Sequence, residues 1–502
     1  MTREEPTLAE LSRPKKRAVK FPRAACAKDS QPLIPAQYLR KTRPRLPELS
    51  ELDVVRHFTR LSKLNFSIDT HFYPLGSCTM KYNPKRNDTL STLQPFLWAH
   101  PAQPEELSQG ILEILYELEQ ALVEICGVRR FSLQPAAGAQ AEFTGLMIVR
   151  AWHRDHGNDK KIVLVPDTSH GTNPASAALV GYQVQTVKSD ERGLVDLGDL
   201  ESHLGPRVAC LMLTNPNTLG RFEVHIQKIA KMIHMVGGLL YYDGANLNPL
   251  LGTARPGDMG FDIVHLNLHK TFSTPHGGGG PGAGPIGVAD RLVPYLPAPL
   301  IGRDGGCYFL EPAHPKSIGR VHAFYGNANI LIKAFIYIKT LGAEGLKRVG
   351  EASVLNANYL LTRLEKIFHV PYPGRCMHEF VVSTLKENPH GIRTLDVAKR
   401  LLDFGFHSPT IYFPINVKEA MMIEPTETES RETLDHFVET LETIADEARH
   451  HPERLRQSPH TLAVSRPDEV AAARTPKLVW DEPPLASPDK SPEGILALKS
   501  QR

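Results

Sequence analysis

The segment HLNLHKTFSTPHGGGGPGAGPIGV, residues 265–288, places Lys270 between an alternating apolar run and four consecutive glycines. Water satisfies a charged amine at any surface position, so a lysine at the end of a buried strand needs a chemical reason. Asp243, in YYDGANLN, ends another apolar run. A lysine and an aspartate at two strand ends of one sheet form either a structural ion pair or part of a reactive site.

A third feature favours the reactive site. The segment LQPAAGAQAEFTG, residues 133–145, contains a glycine-bearing turn that opens a predicted helix, although an ordinary turn of small residues would look the same. Free N–H groups at a helix start bind anions such as phosphate. A phosphate site, an acid and a lysine together suit pyridoxal 5'-phosphate (PLP), because the lysine forms a Schiff base and the acid keeps the pyridine nitrogen protonated. His170, after another predicted strand, is either a loop residue or a group that stacks on the ring.

Other uses of these motifs are less well supported by the sequence. GGGGPGAG lacks the GK[ST] of a phosphate-binding P-loop, and its prolines interrupt the helix that a dinucleotide site requires. His265 and His269 are four residues apart, but HLNLH lacks the glutamate of the HExxH zinc motif and lies on a strand-like run. The six cysteines form no CxxC pair. We therefore expect no metal site.

Composition indicates a soluble globular protein. The chain has 502 residues, 41% of them hydrophobic and 23% charged, and a net charge of only +3, which does not suggest a nucleic-acid-binding protein. No apolar run approaches the roughly 20 residues that cross a bilayer. The basic N-terminus has interleaved glutamates and no apolar segment of a secretory signal. Scattered cysteines are typical of reduced thiols, so we expect a cytoplasmic protein.

The elements that would position these residues alternate between strands and helices. Short apolar segments predict strands at 161–167, 182–187, 208–216, 237–245 and 262–270, and the spacing of Ile226, Ile229, Ala230 and Ile233 predicts a helix between two of them. Such alternation predicts an α/β fold with a mainly parallel sheet flanked by helices. Ligands in such folds bind at the carboxyl ends of the strands, where the polar residues of interest fall.

The chain divides into four predicted segments. Residues 1–95 are rich in proline and basic residues and predict an extended N-terminal arm, and residues 96–330 predict the large, ligand-binding domain. Long helical patterns after residue 330 predict a smaller α+β C-terminal domain over 331–455. Residues 456–502, rich in Pro, Ser, Lys and Asp, predict a disordered tail.

Six motifs together resemble the P-protein of the glycine cleavage system, glycine dehydrogenase (decarboxylating). They are HLNLHKTFSTPHGGGGPGAGPIG, YYDGANLNPLLG, SHGTNPASA, LTNPNTLGRFE, FYPLGSCTMKYNP and EPTETES, and the resemblance runs from about residue 12 to 450. It implies the aspartate-aminotransferase-like fold of type I PLP enzymes. The length is similar to that of subunit 2 of the two-subunit form, the catalytic half of the single-chain enzyme.

The resemblance also implies roles for individual residues. Lys270 would be the Schiff-base lysine, Asp243 the partner of the pyridine nitrogen and His170 the ring-stacking residue. Further cofactor contacts would come from Gly138, Ala139, Gln140, Asn215, Ala245, His269 and Thr274, and the substrate-facing turn from Ser77, Cys78 and Thr79. Two positions depart from the family pattern, since Ala141 stands where glycine is more frequent and Arg221 where an apolar residue is more frequent.

The activity that the resemblance implies is that of glycine dehydrogenase (aminomethyl-transferring). Glycine would lose CO2 with the help of PLP, and the remaining aminomethyl group would pass to the lipoyl arm of H-protein. The glycine run would let the backbone approach the cofactor or move aside for the lipoyl arm. Subunit 1 would complete an α2β2 heterotetramer. Two alternatives stay open at this point: another fold-type I PLP enzyme acting on a free amino acid, and a non-catalytic partner subunit of the same fold.

Overall fold

The computed structural model describes residues 5–20, 22, 34–42, 44, 46–277, 282–323, 325–476 and 478. Its strands are β1 Arg130–Ser132, β2 Ile162–Pro166, β3 Gln183–Val187, β4 Val208–Thr214, β5 Leu239–Gly244, β6 Ile263–Leu266, β7 Ile286–Val288, β8 Ile301–Asp304, β9 Cys307–Leu310, β10 Phe380–Val382, β11 Thr410–Ile411 and β12 Met421–Ile423. Its α-helices are α1 Leu8–Leu11, α2 Glu51–Lys63, α3 Lys85–Ser91, α4 Gln94–Trp98, α5 Glu105–Cys126, α6 Gly138–Asp155, α7 Thr172–Val180, α8 Leu197–His203, α9 Ile226–Met235, α10 Leu268–Thr271, α11 Ala328–Leu364, α12 Thr394–Asp403, α13 Arg431–His450, α14 Pro452–Arg456 and α15 Glu469–Arg474.

A seven-stranded sheet in the order β1-β7-β6-β5-β4-β2-β3 forms the centre of the large domain. Strands β3, β2, β4, β5 and β6 are parallel to one another, and β7 and β1 extend the sheet with antiparallel pairs. Every residue of β2, β4, β5 and β6 is buried. Continuous apolar strands of this kind form parallel sheets that are covered on both faces. The predicted α/β architecture with a mainly parallel sheet is confirmed.

Helices bury the two faces of this sheet in separate cores. Leu240 and Tyr242 of β5 lie in the core to which α5, α9 and the first half of α11 contribute. Leu239 and Tyr241, the alternate residues, lie in the core formed with α6 and α7. Because successive side chains of a strand point to opposite faces, one strand supplies both cores. Asp243 is the one ionisable acid of β5, and it lies near the carboxyl end of the strand.

A smaller domain follows the kink in α11 at Gly342, whose φ of 63° takes the backbone out of the helical region. The antiparallel sheet β10-β12-β11 packs there against the second half of α11, α12 and α13. Part of the segment predicted to be a disordered tail belongs to this domain: the Arg466 guanidinium donates to Asp396 at 2.8 Å and to the backbone oxygens of Leu455 and Ser458. Most of that tail, residues 477 and 479–502, lies outside the described residues.

The N-terminal arm contains more helix than its sequence predicts. Helix α2 begins with a capping box in which Ser50 and Asp53 exchange hydrogen bonds between side chain and backbone. Further along, the arm joins the small domain: Phe72 is buried in its core, and Leu75 pairs with Ile423 of β12. The arm thus reaches the small domain just before the Ser77–Thr79 turn.

Two further expectations concern membranes and cysteines. None of the helices that the structure describes is long and apolar enough to span a membrane. The five described cysteines, Cys78, Cys126, Cys210, Cys307 and Cys376, have free thiols. The sixth, Cys26, lies outside the described residues, as do Gly278–Pro281 of the glycine-rich run.

Candidate functional site

Lys270 lies in a short helix and not at a strand end, so the prediction of its local structure was wrong. Strand β6 ends at Leu266, where its pairing with Gly244 of β5 also ends. The apolar alternation in HLNLH continues to Leu268, but without a neighbouring strand the backbone turns, and the Lys270 amide donates to the Asn267 carbonyl at 3.0 Å. The Nζ of Lys270 donates to the Ser77 carbonyl at 2.8 Å. The lysine therefore meets the N-terminal arm beside the carboxyl edge of the sheet.

Asp243 is almost completely buried, with 1% of its surface exposed. Its Oδ1 accepts from the Ala245 amide at 3.0 Å, and its Oδ2 accepts from Asn173 Nδ2 at 3.1 Å. Burial raises the pKa of Asp243, but neighbouring His265, these donors and the charge of Lys270 outweigh burial and hold the pKa below its ordinary value. Asp243 is therefore an ionised carboxylate, the state that can keep a proton on a ring nitrogen.

Next to Asp243 lies a second buried acid, Glu142 of α6. It accepts from Asn173 Nδ2 at 2.9 Å and from Thr172 Oγ1 at 2.8 Å. Burial and the charge of Asp243 raise the pKa of Glu142 to about 7. His170 Nδ1 lies 2.8 Å from Thr172 Oγ1, and the His170 ring is exposed. Asn173 thus donates to both Glu142, whose pKa is raised, and Asp243, whose pKa is lowered.

The start of α6 offers free backbone donors. Ala137, its N-cap, makes no side-chain capping bond, so the first amides, those of Gly138, Ala139 and Gln140, lack helical acceptors. The Gln140 side chain is occupied elsewhere, accepting from Ala136 N at 2.7 Å and donating to Val321 O at 2.7 Å. Gln140 can therefore contribute only its backbone amide to an anion at this helix start.

Several buried polar atoms around this edge have no hydrogen-bond partner among the described residues. They are Asn173 Oδ1, Thr214 Oγ1, Asn215 Nδ2, Asn267 Oδ1, His269 Nδ1, Thr271 Oγ1 and Thr274 Oγ1. Unpartnered buried polar atoms are rare in folded proteins and call for a polar ligand or water. Donors and acceptors gathered beside a lysine, an ionised acid and a free helix start fit a phosphorylated, ring-nitrogen cofactor such as PLP. Three predicted contact residues, Asn215, His269 and Thr274, are in this group.

The predicted substrate-facing turn is held by two acids that sequence reasoning missed. Ser77 N donates to Glu379 Oε2 at 2.7 Å, and Thr79 donates its amide and its hydroxyl to Glu424, at 2.8 and 2.5 Å. Cys78 lies between them, and burial raises the pKa of its thiol despite the nearby charge of Lys270. Glu424 opens the EPTETES motif, which was noted only as part of the resemblance.

The buried side chain of Lys81 fixes the chain beside Lys270. Its Nζ donates to the Thr271 carbonyl at 2.9 Å, to Asn248 Oδ1 at 2.9 Å and to Glu427 Oε1 at 2.8 Å.

Arg221, one of the departures from the family pattern, has a structural role. Its guanidinium donates to backbone carbonyls of the 372–375 loop. The other departure, Ala141, is fully buried in α6.

Comparison with solved structures identifies the fold. The chain superposes with a TM-score of 0.71 on a glycine decarboxylase (P-protein) of the glycine cleavage system in inhibitor-bound form, over 82% of this chain and 93% of the other, at 24% identity. With the glutamate decarboxylase of Lactobacillus brevis the TM-score is 0.65, at 14% identity and with 82% and 95% of the two chains covered. The predicted aspartate-aminotransferase-like fold of type I PLP enzymes is confirmed.

Sequence comparison identifies the family. The profile described as "Glycine cleavage system P-protein" matches residues 30–305, and that described as "Glycine dehydrogenase, C-terminal domain" matches residues 349–464. A "Probable glycine dehydrogenase (decarboxylating) subunit 2" of Caldanaerobacter subterraneus is 57% identical over 94% of this chain and 98% of its own. A protein of that name from Halalkalibacterium halodurans is 54% identical over 96% and 99%. The chain belongs to the glycine cleavage system P-protein family.

Proposed function

We propose that the chain is the PLP-dependent, glycine-decarboxylating subunit of glycine dehydrogenase (aminomethyl-transferring). The observation that carries the proposal is the convergence of Lys270, ionised Asp243 and the free start of α6 on one edge of the sheet. Relatives named "Probable glycine dehydrogenase (decarboxylating) subunit 2" match nearly the full length of the chain. A scaffold subunit of the same fold would have no need for a lysine at this position.

Each part of PLP has a matching group in the site. Lys270 would carry the aldehyde carbon on its amine, Asp243 would face the ring nitrogen, and the amides of Gly138, Ala139 and Gln140 would receive the phosphate. Asn215, Ala245, His269 and Thr274 would complete the contacts, and His170 would cover the ring. When bound, PLP supplies an electron sink for the charge that develops as CO2 leaves glycine.

The chain's own residues prepare this reaction in three ways. Asp243 keeps its negative charge in a buried position and so would hold a proton at the ring nitrogen, which would strengthen the ring as an electron sink. Lys270 would hold PLP through its amine, and the Ser77 carbonyl accepts a hydrogen bond from that amine. The Ser77–Thr79 turn closes the substrate side of the site with backbone groups and one neutral thiol.

The reaction needs two partner proteins. The name "subunit 2" of the relatives supports a companion subunit 1, and the family supports an α2β2 heterotetramer with lipoylated H-protein as the acceptor of the aminomethyl group. The N-terminal arm offers a surface for such assembly, since Leu52, Val55 and Phe58 of α2 are each more than half exposed. We place the reaction in the cytoplasm.

Exchange of labelled CO2 into glycine tests the activity. The assay compares the chain alone, the chain with subunit 1, and both with lipoylated H-protein. We expect strong exchange only with all three. Strong exchange by the chain alone would overturn the two-subunit proposal, and no exchange under any condition would overturn the activity itself.

Lys270→Ala tests the site directly. Borohydride reduction followed by peptide mapping should find PLP on Lys270 in the wild-type chain and none in the variant, with activity lost. Lys339→Ala, which removes an exposed lysine of α11, is the control and should retain both. Full activity of the Lys270 variant would contradict the assignment.

A further inference from the structure

Glu379 and Glu424 lie side by side in the small domain. Glu379 precedes β10 and Glu424 follows β12, and because Phe380 pairs with Ile423 in this antiparallel ladder, both acids lie at the same end of the sheet. Their side chains are 0% and 1% exposed. Burial, and for Glu379 also the charge of Glu424, raises the pKa of both acids, so their positions need a compensating interaction.

Three of the four compensating donors come from the N-terminal arm. All four carboxylate oxygens have a donor: Ser77 N and Asn246 Nδ2 for Glu379, and the amide and hydroxyl of Thr79 for Glu424. Ser77 and Thr79 have φ values of 63° and 49°, a left-handed conformation that is uncommon for residues other than glycine. A turn of this conformation persists where surrounding bonds hold it.

The same turn meets the reactive amine. The Ser77 amide donates to Glu379, while the Ser77 carbonyl accepts from Lys270 Nζ at 2.8 Å. The arm before it is fixed on the same sheet, since the Glu424 amide donates to Pro74 O and Thr410 Oγ1 donates to Gly76 O. The position of the carbonyl that meets Lys270 is therefore set by the small domain.

We propose that Glu379 and Glu424 are positioning residues that hold the Ser77–Thr79 turn so that its carbonyl orients the amine of Lys270. The inference rests on the proposed function, since orientation of this amine matters because PLP attaches to it. Neither acid contacts the amine directly by a hydrogen bond. Their effect passes through the backbone of the turn.

Replacement by glutamine should affect the two positions differently, because their hydrogen-bond partners differ. In Glu424→Gln the amide oxygen can accept from Thr79 N and the amide nitrogen can donate to Thr79 Oγ1, because a hydroxyl both donates and accepts. In Glu379→Gln the two oxygen positions face two obligatory donors, Ser77 N and Asn246 Nδ2. Asn246 cannot turn its amide over, because the same nitrogen also donates to Pro216 O at 3.0 Å. One donor would lose its acceptor.

The experiment measures how fast PLP attaches to Lys270 in the full chain, assembled with subunit 1, after its PLP is removed and added back. Absorbance follows the attachment, and borohydride trapping with peptide mapping assigns it to Lys270. We expect Glu424→Gln to stay within about twofold of wild type. We expect Glu379→Gln to be about tenfold slower, the effect of losing one hydrogen bond of this kind, and Glu424→Ala and Glu379→Ala, which each lose two, to be slowed at least as much.

Glu447→Ala is the matched control, because it removes another buried carboxylate of the small domain, one that binds Arg400 and not the turn. It should lower stability and leave the attachment rate unchanged. Glu424→Gln as slow as Glu424→Ala, or all variants at the wild-type rate, would overturn the inference. If the alanine variants do not fold, the two glutamine variants decide, and equal rates overturn it. Absence of PLP from Lys270 in the wild-type chain would instead overturn the proposed function.

Discussion

Asp243 Oδ1 lies 3.2 Å from His265 Nε2, and neither side chain is more than 2% exposed. The other ring nitrogen of His265 lies 3.0 Å from the Tyr241 hydroxyl, which is itself fully buried. Strands β5 and β6 pair Asp243 with His265 in register. The carboxylate that we assign to the ring nitrogen thus lies against a buried row of polar groups on the neighbouring strand.

Asp243→Asn should reduce turnover on the order of 100-fold, because the variant no longer stabilises a proton where charge develops. The affinity for PLP should fall less than about tenfold, since asparagine keeps the shape and can still bond to its neighbours. Steady-state kinetics of CO2 exchange and equilibrium titration with PLP give the two numbers. Equal losses in both would mark Asp243 as a structural residue.

Gly138→Ala should weaken PLP binding. An added Cβ would lie 2.2 Å from Asn267 Oδ1, so Asn267 or the start of α6 must shift, at a cost of about 1–3 kcal/mol. The measurement is a PLP titration followed by absorbance. Gly110→Ala, in the middle of α5 with nothing within 4 Å of its added Cβ, should bind PLP normally and be slightly more stable. Normal PLP binding by the Gly138 variant would contradict the placement of the phosphate.

Arg221→Leu should loosen the 372–375 loop. The substitution removes donors to the carbonyls of Tyr372, Pro373 and Arg375 and should cost about 1–3 kcal/mol of stability. Thermal unfolding measures the loss, and proteolysis should show earlier cleavage in this loop. The control, Arg129→Leu, removes an exposed arginine whose ion pair with Asp290 is also exposed, and its melting temperature should hardly change. A similar small change for both would show that these bonds do not stabilise the loop.

Glu429→Gln should change how stability depends on pH. Burial raises the pKa of Glu429 from its ordinary 4.5 to about 7, so the folded chain prefers the neutral acid. The stability that this preference gives is complete below pH 4.5 and is lost as the pH rises through 7. The variant stays neutral and avoids that loss.

The melting temperature of the Glu429 variant, relative to wild type, should therefore be higher at pH 8 than at pH 5. Glu439→Gln, at an exposed position of α13, serves as the control and should show no such difference between the two pH values. If the melting temperatures of the Glu429 variant and wild type differ by the same amount at both pH values, burial does not raise the pKa of Glu429.

The sequence predicted the sheet well because its signals are local. Short, mainly apolar segments located β2 to β6 within two residues at their starts and placed Asp243 near the end of β5, while the glycine-bearing turn indicated the helix start near Gly138. Lys270 shows the limit of that signal. The alternation in HLNLH resembles a longer strand, and only the end of the neighbouring strand at Gly244 makes the chain turn into α10.

Contacts between segments that are far apart in the sequence could not be predicted, because they leave no pattern in the neighbouring residues. Glu379 precedes an apolar triplet and Glu424 follows one, as polar residues do at many strand ends. Their proposed role depends on an arm some 300 residues earlier in the chain. Helix α2 was missed although Leu52, Val55 and Phe58 recur at helical spacing and form one apolar side of the helix. A capping box at Ser50 and Asp53 was a second available signal.

The hydrogen bond between Thr79 and Glu424 joins residues 345 positions apart. A ribosome adds about 5–20 residues each second, so about 20 to 70 seconds separate the synthesis of the turn from that of the acid that holds it. During translation the parallel sheet can assemble while the arm still lacks its anchor. The site that we propose around Lys270 is therefore among the last parts of the nascent chain to take shape, and a product truncated before Glu424 would contain the Ser77 carbonyl but not the side chain that binds Thr79.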